Sequence, residues 1–229
     1  MAIADPWQDR WQTVARRYSR EYRREAQPLP DDLESLAIVQ TWRAGQLQNQ
    51  IGSAFWELAQ PDKGQAWLDL GCGLSFLVYP WRDWQASFSG QDICPEACEI
   101  LRQRGPQLNS KLFKGCRLAP AHQLDYPDRS FDGAIATGVS AYYPLDYWAE
   151  VLTAVQKVLK PGGQFLFDVI NPEAAIAEDW AILETYLGAP VELVDLDQWR
   201  QLCRDRGARI RAESAGPLFQ LLRIDWPKG

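Results

Sequence analysis

The chain has 229 residues, with 24 basic and 30 acidic side chains and a formal net charge of −6 at pH 7. This length suits one α/β domain with extensions and can bury a substantial core without disulfides or metal. The acidic balance disfavours nonspecific nucleic-acid binding, and five cysteines with a single histidine and no C-x-x-C pair disfavour disulfides and a metal site.

The first residues of the chain lack the apolar core of a signal peptide. No later stretch supplies the run of roughly 20 apolar residues that a membrane-spanning helix needs. We therefore expect a cytoplasmic protein.

Residues 5–26 predict an amphipathic helix, because aromatic and aliphatic side chains recur there at helical spacing. Six arginines occupy other positions of this segment: Arg10, Arg16, Arg17, Arg20, Arg23 and Arg24. This basic side is either a solvated face, interleaved with acidic residues, or a surface that attracts an anionic substrate, a membrane or an RNA. The sequence leaves open a peripheral membrane contact through this helix.

Two prolines within residues 28–30 end this helix, and a second helical pattern runs from Asp31 to about residue 59. We therefore expect residues 1–60 to form a helical extension that acts as a lid. Residues 61–229 are expected to form one α/β domain.

From residue 66 onward, short apolar runs alternate with helical patterns, which predicts a mostly parallel sheet with helices on both faces. The predicted strands are 66–70, 86–92, 111–115, 131–137, 164–170, 208–213 and 218–225. The predicted helices are 74–84, 95–104, 145–159, 173–187 and 195–206.

The first predicted strand leads directly into Gly71-Cys72-Gly73, and the acidic residue Asp69 lies just before this turn. The second predicted strand ends in Asp92, about twenty residues later. In a doubly wound α/β fold, this pattern is typical of a nucleotide site, because the turn lets the backbone approach a ligand and the carboxylate accepts hydrogen bonds from ribose.

Four short segments follow one another in the chain: 68–73, 90–96, 130–136 and 159–163. Each segment alone is common in proteins, but the four in this order are specific for one family. With them, the chain resembles the class I S-adenosylmethionine-dependent methyltransferases from about residue 65 to 226. The resemblance implies a doubly wound, seven-stranded, mostly parallel sheet whose last strand is antiparallel. It also implies S-adenosyl-L-methionine as the cofactor.

The resemblance further implies that the turn after the first strand holds the methionine part of the cofactor, with Asp69 at its ammonium end. Asp92 would accept the ribose hydroxyls and Ile93 would pack against the adenine. The family often has an acid after the third strand, but none stands here, so the backbone of Ala121 or His122, or the side chain of His122 or Gln123, would meet the adenine edge. The full set of expected cofactor contacts is Asp69, Gly71, Cys72, Gly73, Asp92, Ile93, Ala121, His122 and Thr137.

Methyl transfer requires mainly that the acceptor be aligned and water excluded. If an oxygen or nitrogen acceptor needs a base, the catalytic candidates are His122, Tyr142 and Tyr143. A capping or adenine-contacting role explains His122 equally well, and the two tyrosines could instead line the acceptor site or simply pack.

These observations favour a methyltransferase that acts on a small, aromatic or apolar molecule, with specificity set by the amino-terminal helices and the segment 172–190. One alternative is a methyltransferase for protein or RNA, which would need an open cleft. Another is a noncatalytic module that binds an adenosine ligand or acts as a scaffold. A nicotinamide-dependent dehydrogenase is disfavoured, because Ser75 breaks the dinucleotide fingerprint.

Overall fold

The computed structural model describes residues 5–227. Residues 1–4 of the expected helical extension and residues 228–229 of the expected α/β domain lie outside the described residues. A single sheet of seven strands forms the centre, in the order β3-β2-β1-β4-β5-β7-β6. The strands are β1 (Ala66–Leu70), β2 (Ser87–Asp92), β3 (Phe113–Leu118), β4 (Phe131–Ala136), β5 (Leu159–Ile170), β6 (Arg209–Ala215) and β7 (Phe219–Asp225).

Strands β1 to β5 pair in parallel, whereas β7 is antiparallel to both β5 and β6. The predicted seven-stranded, mostly parallel sheet with an antiparallel last strand is therefore confirmed. The strand order reverses where β1 lies between β2 and β4. At such a switch point the connections leave in opposite directions and open a crevice at the carboxyl ends of the strands.

Ten α-helices and two short 3-10 turns surround the sheet within residues 5–227. The helices are α1 (Gln8–Tyr22), α2 (Asp31–Glu34), α3 (Ala37–Arg43), α4 (Leu47–Ile51), α5 (Phe55–Ala59), α6 (Trp81–Trp84), α7 (Pro95–Asn109), α8 (Leu145–Val158), α9 (Ala177–Leu187) and α10 (Leu196–Asp205). None of them is long and apolar enough to cross a membrane.

The prediction of one helix from Asp31 to residue 59 is wrong, because that segment forms the four short helices α2 to α5. One interruption is Gly45, whose φ of +67° belongs to the left-handed region that favours glycine and ends α3. The predicted helix 74–84 is also wrong. It divides at Pro80 into a 3-10 turn and the single-turn α6, since proline has no amide hydrogen to continue a helix.

Aromatic side chains fill the layers on both faces of the sheet. On one face, Trp148 of α8 stacks on Phe167 of β5 with ring centroids 5.4 Å apart, and Trp199 of α10 closes the layer at 5.7 Å from Trp148. On the other face, the Trp67 ring lies against Gly133 of the neighbouring strand, where a Cβ atom would be only 2.6 Å from it. This close packing holds β1 and β4 side by side, which positions the turns that follow them.

Candidate functional site

A cavity of about 370 Å³ lies at the carboxyl ends of β1, β2 and β4, at the point where the strand order reverses. Its volume is within the range of small-molecule sites. Six of the eight tyrosines of the chain line it, namely Tyr18, Tyr22, Tyr79, Tyr142, Tyr143 and Tyr147. Among the lining residues in the described part of the chain there is no Lys, Arg or His.

The turn after β1 forms one wall of this cavity. Gly71 and Gly73 have φ values of +65° and +48°, in the region that other residues rarely adopt. The Gly71 amide donates a hydrogen bond to the Gln91 carbonyl at 2.8 Å, and a Cβ atom on Gly71 would lie 2.4 Å from Val139 Cγ2. The turn therefore requires glycine at residue 71 and exposes backbone to the cavity. Cys72 also lines the cavity, and its Sγ lies 3.7 Å from Cys116 Sγ.

Asp92 lines the cavity at the end of β2, and its side chain is buried. One carboxylate oxygen accepts the Gly73 amide and the other accepts the Cys94 amide, both at 2.7 Å. Burial raises the pKa of this carboxyl, while the hydrogen bonds from the two amides work in the opposite direction. Each oxygen keeps a further lone pair, so the group can accept hydroxyl hydrogens from a ligand. Ile93, Ala121 and Thr137 line the same cavity, as the sequence predicts for cofactor contacts.

Asp69 does not belong to the cavity wall. Its carboxylate is buried within the sheet layer and accepts a hydrogen bond at 2.7 Å from the hydroxyl of Ser75, which does line the cavity. Burial raises the pKa of Asp69 to about 7. Asp69 thus supports the cavity wall through Ser75, and its contact with a ligand ammonium group stays a prediction.

His122 is likewise absent from the cavity wall, although the adjacent Ala121 belongs to it. The His122 Nε2 atom lies 3.3 Å from Asp5 Oδ1, and the ring packs edge-on against Tyr147 at 5.0 Å. The chain after β3 directs this side chain toward the residues that precede α1. In this structure the His122 side chain does not line the cavity, and its role as a catalytic base or side-chain cofactor contact stays a prediction. The Ala121 amide donates to the Tyr147 hydroxyl at 3.1 Å.

Tyr142 and Tyr143 both line the cavity after β4, as expected for an acceptor site. The hydroxyls of Tyr142 and Tyr18 share a hydrogen bond of 2.8 Å, while the Tyr143 ring stacks on Tyr147 with centroids 4.1 Å apart. Burial raises the pKa of both Tyr142 and Tyr143 well above the ordinary value. Their hydroxyls are therefore suited to orienting a ligand and poorly suited to accepting its proton as phenolates.

Helix α1 covers the cavity, and Val14, Tyr18, Glu21 and Tyr22 on its inner side belong to the wall. The Tyr22 hydroxyl lies directly over the first turn, since a Cβ atom at Gly73 would be only 2.8 Å from it. The sequence places these tyrosines on a helix but gives no sign that they face a ligand cavity.

Three of the four arginines of α1 face inward. Arg17 makes a buried, two-pronged ion pair with Glu184 of α9, with both N–O distances 2.9 Å. Arg10 donates to the Tyr142 carbonyl at 2.6 Å and pairs with Glu192, and Arg20 donates to the Leu187 carbonyl. Much of the predicted basic face therefore forms ion pairs and hydrogen bonds that hold α1 against the segment 184–192.

Asp168, near the carboxyl end of β5, is a site residue that the sequence does not single out. Its buried carboxylate accepts the amide of Gly138, a lining residue, at 2.7 Å and the Ser53 hydroxyl at 2.9 Å. Burial raises its pKa to about 7. An acid at the end of a buried strand is the same signal that identifies Asp92, and it could have identified this residue.

Comparison with known proteins identifies the domain type. Residues 68–167 match the model of a family described as a methyltransferase domain. The chain is 33% identical over 108 residues to the sterol 4-C-methyltransferase of Caenorhabditis elegans, a match that covers 45% of this chain and 31% of the relative. It is 31% identical over 125 residues to the fatty-acid O-methyltransferase of Mycolicibacterium smegmatis, covering 52% of this chain and 43% of the relative. The chain thus spans less than half the length of both curated relatives.

Similar folds occur among solved structures. The geranyl diphosphate C-methyltransferase from Streptomyces coelicolor, solved with S-adenosyl-L-homocysteine, has a TM-score of 0.65 at 12% identity, covering 98% of this chain and 99% of that one. The [4+2]-cyclase SpnF has a TM-score of 0.64 at 16% identity, covering 96% and 97%. At such identities the likeness concerns the fold alone, and this fold serves more than one chemistry.

Proposed function

We propose that the chain is a class I S-adenosylmethionine-dependent methyltransferase and that it transfers the methyl group of this cofactor to a small, apolar or aromatic molecule. The observation that carries the proposal is the cavity at the switch point. One of its walls is the glycine turn with Asp92, and the other is a group of tyrosines that the helix α1 completes.

The residues present fit the cofactor. The exposed backbone from Gly71 to Gly73 would hold the methionine part, since a bulkier turn would fill this space. Asp92 has free acceptor capacity for the ribose hydroxyls, and Ile93 and Ala121 offer apolar surface for the adenine. S-adenosylmethionine would supply a methyl group already activated by a positively charged sulfur.

The protein's own part in the transfer is alignment and exclusion of water. The hydrogen-bonded pair of Tyr18 and Tyr142 can donate to, or accept from, a polar group of the acceptor. The stacked rings of Tyr143 and Tyr147 give the acceptor a flat apolar surface. Together these groups would set the direction from which the acceptor meets the methyl carbon.

Residues 1–60 would act as the lid of this site. The described part of the lid contributes α1, whose inner face closes the cavity, and Ser53, which bonds to Asp168 behind the wall. The buried pair of Arg17 and Glu184 ties the lid to α9. A covered cavity of this kind favours a small acceptor over a protein or an RNA, which would need an open cleft.

The proposal is tested by incubating the purified protein and methyl-labelled S-adenosylmethionine with an extract of its host. We expect the label in the small-molecule fraction that organic solvent extracts. The Gly71→Val variant is the matched control and should transfer none. Label in precipitated protein or RNA would favour the alternative substrates. Tight binding of S-adenosylhomocysteine with no labelled product in any fraction would favour the noncatalytic module.

A further inference from the structure

The charged groups around the cavity are predominantly acidic. Among the described lining residues, Asp92 and Glu21 are the charged ones, and both are carboxylates. Two more carboxylates stand behind the wall, because Asp69 bonds to the lining Ser75 and Asp168 bonds to the lining Gly138. No guanidinium or ammonium group of the described chain reaches the cavity surface.

Arg17, which lies on the helix that covers the cavity, is already paired. Arg17 contacts both Glu184 and Glu21, and its side chain is only 3% exposed. The ionised groups Asp92, Glu21 and Glu184 therefore face a single guanidinium and leave two negative charges. S-adenosylmethionine carries a sulfonium, an ammonium and a carboxylate, so that its one net positive charge offsets only half of them.

An acceptor with its own negative charge would enter a site without a free cation. An anion buried without a cationic partner is disfavoured, and the nearby carboxylates add repulsion that a low-dielectric cavity screens poorly. An uncharged hydroxyl or amine meets no such penalty. It can exchange hydrogen bonds with the hydroxyls of Tyr18 and Tyr142, which lie 2.8 Å apart in the wall.

From this arrangement we infer that the methyl acceptor is an uncharged alcohol, phenol or amine, and that carboxylate and phosphate acceptors are excluded. The inference rests on the proposed function and narrows its substrate class. The acceptor's lone pair forms the new bond to the methyl carbon, and the carbon–sulfur bond breaks with its electron pair left on sulfur. The proton released by the acceptor passes to water at the mouth, where the exposed Glu21 stands.

This exclusion separates the chain from two proteins that it resembles. The Mycolicibacterium smegmatis relative is named as a fatty-acid O-methyltransferase, and the Streptomyces coelicolor structure contains geranyl diphosphate. Both of those names specify acidic compounds. The inference assigns this chain to uncharged acceptors in spite of the shared fold.

The test uses three probes that share one ring: benzyl alcohol and aniline, which are uncharged at pH 7.5, and the anion benzoate. Their binding to the protein saturated with S-adenosylhomocysteine is measured by calorimetric titration at pH 7.5. We expect benzyl alcohol and aniline to bind and benzoate to bind at least tenfold more weakly. Equal or tighter binding of benzoate overturns the inference, and so does failure of both other probes to bind.

A charge-altered variant provides the matched control. Val78 lines the cavity near its mouth and is 72% exposed, so that a substitution there leaves the core unchanged. Val78→Lys should strengthen benzoate binding at least threefold relative to Val78→Met, because it supplies the cation that the wall lacks. No difference between the two variants would overturn the electrostatic explanation.

The outcomes also separate this inference from the proposed function. If the wild-type protein does not bind S-adenosylhomocysteine, the proposed function fails, and the three probes are then ranked on the ligand-free protein with the same order expected. If S-adenosylhomocysteine binds and benzoate binds as tightly as the uncharged probes or more tightly, only the assignment of the acceptor class fails.

Discussion

Replacement of Asp92 by alanine tests the cofactor site at its central group. If the buried carboxylate accepts the ribose hydroxyls, its loss should cost about 2–3 kcal/mol of binding free energy, the scale for hydrogen bonds to a charged group. This corresponds to a roughly 30- to 140-fold increase in the Kd of S-adenosylhomocysteine. Calorimetric titration measures it directly, with Asp125→Ala as the control for loss of an exposed carboxylate.

The same substitution also bears on the stability of the turn. Asp92 accepts the amides of Gly73 and Cys94, and without it both donors lose their partner. We expect a loss of about 1–3 kcal/mol in the free energy of unfolding, measured with denaturant. The loss comes mainly from the buried Cys94 amide, because water in the cavity can replace Asp92 as the partner of the Gly73 amide more easily. Asp92→Asn keeps one acceptor oxygen and should lose less. A folded Asp92→Ala protein with wild-type affinity would remove Asp92 from the cofactor site.

Three further substitutions probe the other parts of the site. Gly71→Val should abolish S-adenosylhomocysteine binding, because residue 71 has a φ of +65° and its Cβ atom would lie 2.4 Å from Val139; normal binding in calorimetry would contradict the proposed turn. Tyr142→Phe should lower turnover about 2- to 10-fold through loss of the hydroxyl pair with Tyr18, whereas Tyr143→Phe should change turnover little; equal effects would refute an orienting role for Tyr142. Asp168→Asn should make the free energy of unfolding depend less on pH. Burial raises the pKa of the Asp168 carboxyl from 3.8 to about 7. The stability that this carboxyl contributes is therefore fully present below pH 3.8 and is lost as the pH rises through 7, and the variant lacks this loss. Denaturant unfolding at pH 5 and 7.5 measures this loss, and a fall as steep as in the wild type would contradict it.

The sheet is predictable from the sequence because its signals are local. The apolar run before Gly71, the carboxylate at the end of β2 and the Pro-Gly-Gly segment in the first part of β5 are each signals of only a few residues. The positions of Asp92 and Ile93 in the cavity follow from them, since parallel strands end at one edge of the sheet.

Other parts of the site depend on contacts that the local pattern does not contain. The arginine-rich face of α1 has the composition of a solvated surface, and only the presence of Glu184 and Glu192 opposite shows that Arg17 and Arg10 face inward. The direction of the His122 side chain depends on its contacts with Asp5 and Tyr147 rather than on its place after β3. Long-range packing decides both cases.

The ties of α1 also determine the order in which the protein can assemble during synthesis. Helix α1 is made before the sheet, yet Arg10 bonds to a carbonyl 132 residues later and Arg17 to a carboxylate 167 residues later. Until α9 has left the ribosome, Arg17 has no acid to pair with and Val14 has no complete core to enter. Contacts of such high sequence separation form late. The growing chain therefore carries the complete glycine turn for much of translation without its cover, and α1 can join the domain only after α9 has been made.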